Sequence, residues 1–137
     1  MLLRGPGPQG VAEDYLRASW TGRWRAMCEA ATEQWRTYLF QGVPYADCAA
    51  YADADASAGR GSAFDPYRED TEITVSVEPF SEGDGRARVS YEVELRYHGA
   101  DRAGFDAIWQ GARPIDRGTV ELVEVDGDWR VAGVDAG

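Results

Sequence analysis

From residue 71 onward the apolar residues fall on every second position, and that alternation limits what the chain can fold into. In "TEITVSVEPF", Ile73, Val75 and Val77 share one side, while Glu72, Thr74, Ser76 and Glu78 take the other. In "RARVSYEVELRYH", Ala87, Val89, Tyr91, Val93, Leu95 and Tyr97 face one way and the charged residues face the other. A period of two is that of a strand with one dry face. "SEGDG" joins these two strands as a hairpin, and "GTVELVEV" with "DWRVAGV" forms another around Asp126-Gly127. Before residue 71 the period is about 3.6. Helices followed by an antiparallel meander describe an α+β fold, with the helices packed on one side of a curved sheet.

The helical half divides in three. Gln9 to Trp20 carries Val11, Tyr15 and Leu16 on one stripe, and Thr21-Gly22 breaks it. Arg23 to Phe40 reads as one second helix, with Trp24, Met27, Cys28, Ala31, Trp35, Tyr38 and Leu39 at spacings of three and four. A third piece is expected from Pro44, ended by Gly59-Arg60-Gly61-Ser62. Residues 99–117 are too long for a hairpin loop and read as an insertion. Within it Phe105, Ile108 and Trp109 suit a short helical turn. Residues 1–8 read as a linker or disordered tail, kept irregular by Gly5-Pro6-Gly7-Pro8, and residues 9–137 as a single domain. A net charge of −10 argues against nucleic acid and anionic membrane surfaces as partners. No apolar run is long enough for direct membrane insertion.

Two stretches carry a family resemblance. "VAEDYLRASWTGRWRAMCEAAT" resembles the opening of nuclear transport factor 2-like (NTF2-like) domains, a helix ending at a small residue plus glycine before an aromatic-led second helix. "DGDWRVAGV" resembles their closing hairpin. The resemblance covers residues 9 to 135 in outline and implies a cystatin-like cone, its strongly curved sheet closed by helices that meet at a Gly22 corner. Trp20 and Trp24 would flank that corner and pack toward the sheet. Cys28 and Cys48, in "MCEA" and "YADCAAY", further resemble extracytoplasmic actinobacterial members of the superfamily, which are often tethered behind a lipoprotein signal or a membrane helix.

The two cysteines have no C-x-x-C partner, and the single histidine leaves no zinc ligand set. A Cys28–Cys48 disulfide is the preferred reading. It would stabilise by roughly 3 kcal/mol through the unfolded state and imply an oxidising compartment. Two buried reduced thiols are the alternative.

Tyr15 matches the position of a first-helix tyrosine that, in ketosteroid isomerase-like relatives, donates a hydrogen bond to a developing oxyanion. Those relatives also present a carboxylate after the second helix, and this chain has none before Asp47. The substitutes are Asp65, in "FDPY", and His98, with Asp101 or Asp106 nearby. No metal site and no cofactor are expected.

The leading expectation is therefore a non-catalytic accessory or binding domain at the cell envelope. It would take a protein partner or a small apolar ligand through Tyr15, Trp24, Tyr91, Phe105 and Trp109. The alternative is a cytoplasmic, cofactor-free isomerase, cyclase or dehydratase using Tyr15 with Asp65 or His98. A homodimer through the charged sheet face, with Arg86, Glu92, Glu94 and Arg96 pairing across a two-fold axis, is a third arrangement.

Overall fold

A computed structural model describes residues 7–58 and 63–136. Most of the tail, and the Gly59–Ser62 stop proposed for the third helix, lie outside the described residues. The order is α1 (Pro8–Thr21), α2 (Trp24–Glu29), α3 (Glu33–Phe40), α4 (Cys48–Ala58), a 3-10 helix (Asp65–Asp70), β1 (Thr71–Gly83), β2 (Arg86–Tyr97), α5 (Arg102–Ile108), β3 (Ile115–Val125) and β4 (Asp128–Ala136). The four strands form one antiparallel sheet in the order β1-β2-β3-β4. Its ends do not pair, so it is not closed into a barrel.

The alternation is realised as expected. Ala87, Val89, Tyr91, Val93, Leu95 and Tyr97 are all buried, and the residues between them are not. On the outer strand β1 only Val75 of the three aligned apolar residues is fully buried. Both hairpins turn on Asp-Gly pairs with positive φ, Asp84-Gly85 and Asp126-Gly127, the backbone that two-residue hairpin loops require. Register shifts occur at Pro79/Ser81 in β1 and opposite Glu121/Leu122 between β3 and β4. Such bulges bend a strand and increase its twist. β3 begins at Ile115, three residues before the alternation was expected to start.

Helix α1 crosses the dry face and touches all four strands. It starts at Pro8, whose missing N–H costs nothing in the first turn. It ends at Gly22, left-handed at φ 78°, where the N–H returns to the Ala18 carbonyl. Arg68 clips this corner. Its Nε donates to the Trp20 carbonyl, its Nη1 pairs with Asp65 at 2.6 Å, and its guanidinium lies over the rings of Trp24 and Phe64. The tryptophans at the corner thus pack against the 3-10 segment as well as the core. Trp20 meets Phe64 edge-on at 5.5 Å.

The expected single helix from Arg23 to Phe40 is two helices. Between them Ala31 makes a parallel bridge to Val131 on the outer edge of β4. The Thr32 N–H donates to the Val131 carbonyl, and the Val131 N–H donates to that of Ala30. This pairing diverts the chain out of the helix and covers part of an exposed sheet edge. Thr32 then caps α3 through its hydroxyl, which accepts from Trp35 N. The third expected piece begins at Cys48 and not at Pro44. Gln41 and Gly42 take positive φ there, and the Asp47 carboxylate accepts from Ala50 N at the new helix start. A Cys28–Cys48 disulfide joins α2 to α4, with both sulfurs shielded.

Two stability outcomes follow. Replacing both cysteines by serine should cost about 3 kcal/mol in urea unfolding, and reductant should reproduce the loss in the native protein alone. Gly118→Ala should cost more than about 2 kcal/mol, because a Cβ there would collide with the Asp135 carbonyl and the Tyr91 ring. Gly83→Ala, with open space around it, is the control and should stay near neutral.

Candidate functional site

The acid–base residues expected from the sequence are each committed to a different neighbour. Tyr15 is buried on α1, and its hydroxyl oxygen accepts from Trp35 Nε1 at 2.8 Å. Burial is the main reason its phenol is pushed above the ordinary value. The Trp35 hydrogen bond opposes that rise, and nearby Tyr38 adds to it. Asp65 sits at the start of the 3-10 helix in its ion pair with Arg68. His98 is exposed just beyond β2, with Nε2 3.4 Å from a Glu72 carboxylate oxygen. Asp101 and Asp106 are not its partners. Asp101 accepts from Tyr67 Oη and Gly104 N as the cap of α5, and Asp106 pairs with Arg102.

The insertion folds back onto the end of the sheet. Phe105 is fully buried and stacks on Tyr97 at 4.8 Å, so it offers no outer surface. Trp109 lies beside Phe105 and Trp20. Its Nε1 is shielded from solvent and has no acceptor among the described residues. Trp24 is half-buried on α2, beneath the Arg68 guanidinium. Tyr15, Trp24, Phe105 and Trp109 thus serve the packing of the helical layer. Among the described residues no cluster of His, Cys, Asp or Glu is arranged to hold a metal ion.

Tyr91 is the one expected residue that meets an acid on the dry face. Its hydroxyl donates to Asp116 Oδ2 at 3.2 Å. Asp116 lies opposite Val93 at the start of β3, and Tyr91 lies opposite Gly118, whose lack of a side chain admits the ring. Burial raises the Tyr91 phenol well above its ordinary value, and the charges of Asp116 and Asp135 add to the effect. Burial also raises the Asp116 carboxyl, against the hydrogen bond from Tyr91, which lowers it. Asp116 lies outside the alternating stretch GTVELVEV that marks β3 in the sequence, because the strand begins earlier, at Ile115. Its parity with Gly118, Val120 and Leu122 was the available signal.

The outer sheet face is polar and internally paired. Arg117 meets Glu92 at 2.7 Å, Arg88 meets Glu121 at 3.5 Å, and Arg96 approaches Glu94 at 4.0 Å. These are exposed contacts of small individual worth. A shallow hollow of about 290 Å³ lies on that face among Ser76, Glu78, Ser90, Glu92 and Arg117.

No protein-family model matches the chain, and no curated protein matches it in sequence.

The Asp116 shift has a measurable sign. Its carboxyl holds a proton more tightly when folded than at its ordinary 3.8. The group therefore favours folding below that pH, and this contribution is lost as pH rises through the folded value. In urea titrations, wild-type stability should fall relative to Asp116→Asn as pH climbs from 3.8. Parallel stability curves would contradict the assignment.

Proposed function

We propose that this chain is a non-catalytic NTF2-like accessory or binding domain that works outside the cytoplasm, at the cell envelope. The observation that carries the reading is the dispersal of the acid–base candidates. Tyr15, Asp65 and His98 are held by Trp35, Arg68 and Glu72 respectively, on separate elements. General acid–base chemistry needs its groups within reach of one reacting atom, and these three do not share a partner. The Cys28–Cys48 disulfide supports the location, since such bonds persist in oxidising compartments. The helix–helix corner at Gly22 and the helices-then-meander order are consistent with an NTF2-like cone. A fold of that kind hosts binders and enzymes alike, so the site and not the fold supports the choice.

A second reading rests on Tyr91 and Asp116. A buried phenol hydrogen-bonded to a carboxyl of raised proton affinity is a pair from which a cofactor-free isomerase, cyclase or dehydratase can be built. In that case Asp116, and not Asp65 or His98, is the base.

One experiment separates the readings. The native gene is fused to an alkaline phosphatase that is active only after export, and the thiols of the freshly isolated chain are titrated in denaturant with and without reductant. The envelope reading expects no free thiol without reductant, two with it, and an exported reporter in the native host. Two free thiols without reductant would count against it and favour the cytoplasmic enzyme.

A further inference from the structure

Half of helix α3 is apolar, with Trp35, Tyr38, Leu39 and Phe40 in EQWRTYLF, yet none of its residues is fully buried. The turn that follows returns to its end, where the Val43 N–H donates to the Phe40 carbonyl and the Tyr45 ring meets Phe40 edge-on. Tyr38 is 67% exposed and Val43 45% exposed, which makes them two of the four large apolar side chains that stand out among the described residues. Single exposed apolar residues need no explanation, but here Tyr38 stands on a stacked pair with Trp35, and Val43 follows in the turn that closes on the Phe40 carbonyl. The Trp35–Tyr38 pair is also rigid. The Trp35 indole is fixed by its hydrogen bond to the buried Tyr15 hydroxyl, and the Tyr38 ring stacks on it at 4.4 Å, nearly parallel. At the end of α3, Phe40 packs with Tyr45 and Tyr51, the three rings 5.1 to 5.6 Å apart. A rigid aromatic surface loses little conformational entropy when it is covered.

The charges around it select the occupant. Arg36, the one cation in the helix, is turned away. Its Nε donates to the Cys28 carbonyl and its Nη2 to that of Glu29, so its charge is spent on the end of α2. The acids of the segment, Glu33 at the start of α3 and Asp47 beyond the turn, are exposed. The whole chain carries a net charge of −10. A second copy would bring like charge to like charge, and an anionic bilayer would do the same.

We propose that the outward face of α3 and its following turn, built from Trp35, Tyr38 and Val43, docks a basic amphipathic segment of a partner protein. Apolar residues of that segment cover the aromatic face, and its Lys or Arg residues reach Glu33 and Asp47. This inference rests on the reading of the chain as a binding domain and names the surface and the partner's chemistry.

The test uses the full chain with a synthetic leucine/lysine amphipathic helical peptide and its leucine/glutamate counterpart. Binding is read by the emission of Trp35, assigned by difference against Trp35→Phe, and by calorimetry. The leucine/lysine peptide should bind at least roughly tenfold more tightly than its acidic counterpart. Added salt should weaken it. Tyr38→Asp and Val43→Asp, both at exposed positions, should each lower its affinity by roughly tenfold or more. Phe80→Asp, at an exposed site on β1, should leave it unchanged. Equal affinity for both peptides, or equal loss with Phe80→Asp, overturns the proposal. So does a concentration-dependent dimer that Tyr38→Asp dissolves, or binding to anionic vesicles that the same variant abolishes. Free thiols or a catalytic turnover would sink the underlying reading while leaving the peptide result separately legible.

Discussion

The helical layer depends on one short piece of backbone pairing, between Ala30–Thr32 and Val131 at the edge of β4. Two N–H···O=C bonds form there, Thr32 to Val131 and Val131 to Ala30, and the N–H and C=O of Val131 on that edge are satisfied. The pairing ends α2 after Glu29 and lets Thr32 restart the chain as α3. Arg130, next to Val131, and Arg36 both donate to the Glu29 carbonyl that α2 leaves open. Positive charge at a helix C-terminus is favourable, so the same few residues that break the helix also cap it. The disulfide then fixes α4 to the shortened α2.

The direction of α3 follows from that break. A continuous helix from Arg23 to Phe40 would carry Trp35 and Leu39 along the stripe that holds Met27 and Cys28, both buried. Restarted from the edge of the sheet, α3 instead lays Trp35 beside Gly133 and sends its indole N–H to Tyr15. That contact engages the oxygen of the Tyr15 hydroxyl as an acceptor and fixes its position beneath α3. It also leaves Tyr38 and Val43 in solvent. The anchoring of Trp35 on Tyr15 and the exposure of the Tyr38 ring stacked on it are thus two results of one local geometry.

The sheet was largely legible in the sequence because its information is local. Alternation identified the dry face of β2 residue by residue, and the SEGDG stretch and the Asp126-Gly127 pair marked the two turns, the first of which narrows to Asp84-Gly85 because β1 runs on to Gly83. The corner at Gly22 was legible for the same reason, since only glycine takes that backbone freely. The split at Ala30–Thr32 was not. It contains no glycine or proline, and its cause is a strand that lies about a hundred residues later in the chain. Helical spacing continues through it, so periodicity alone reads one helix. The aromatic residues of the helical layer show a similar limit. Phe105 and Trp109 are recognisable as residues that bind or pack, but the choice is made by where the insertion folds, which spacing does not encode. Asp116 was hidden by a strand boundary, where periodic reasoning is weakest.

Native-state hydrogen exchange tests the edge pairing directly, through the amides of Thr32 and Val131. Both should exchange only with global unfolding, with free energies equal to those of the central β2 amides, while the exposed amides of the turn after α3 exchange far sooner. Rapid exchange at Thr32 and Val131, with continuous helical protection from Arg23 to Phe40, would contradict the account and remove the basis for the outward face of α3.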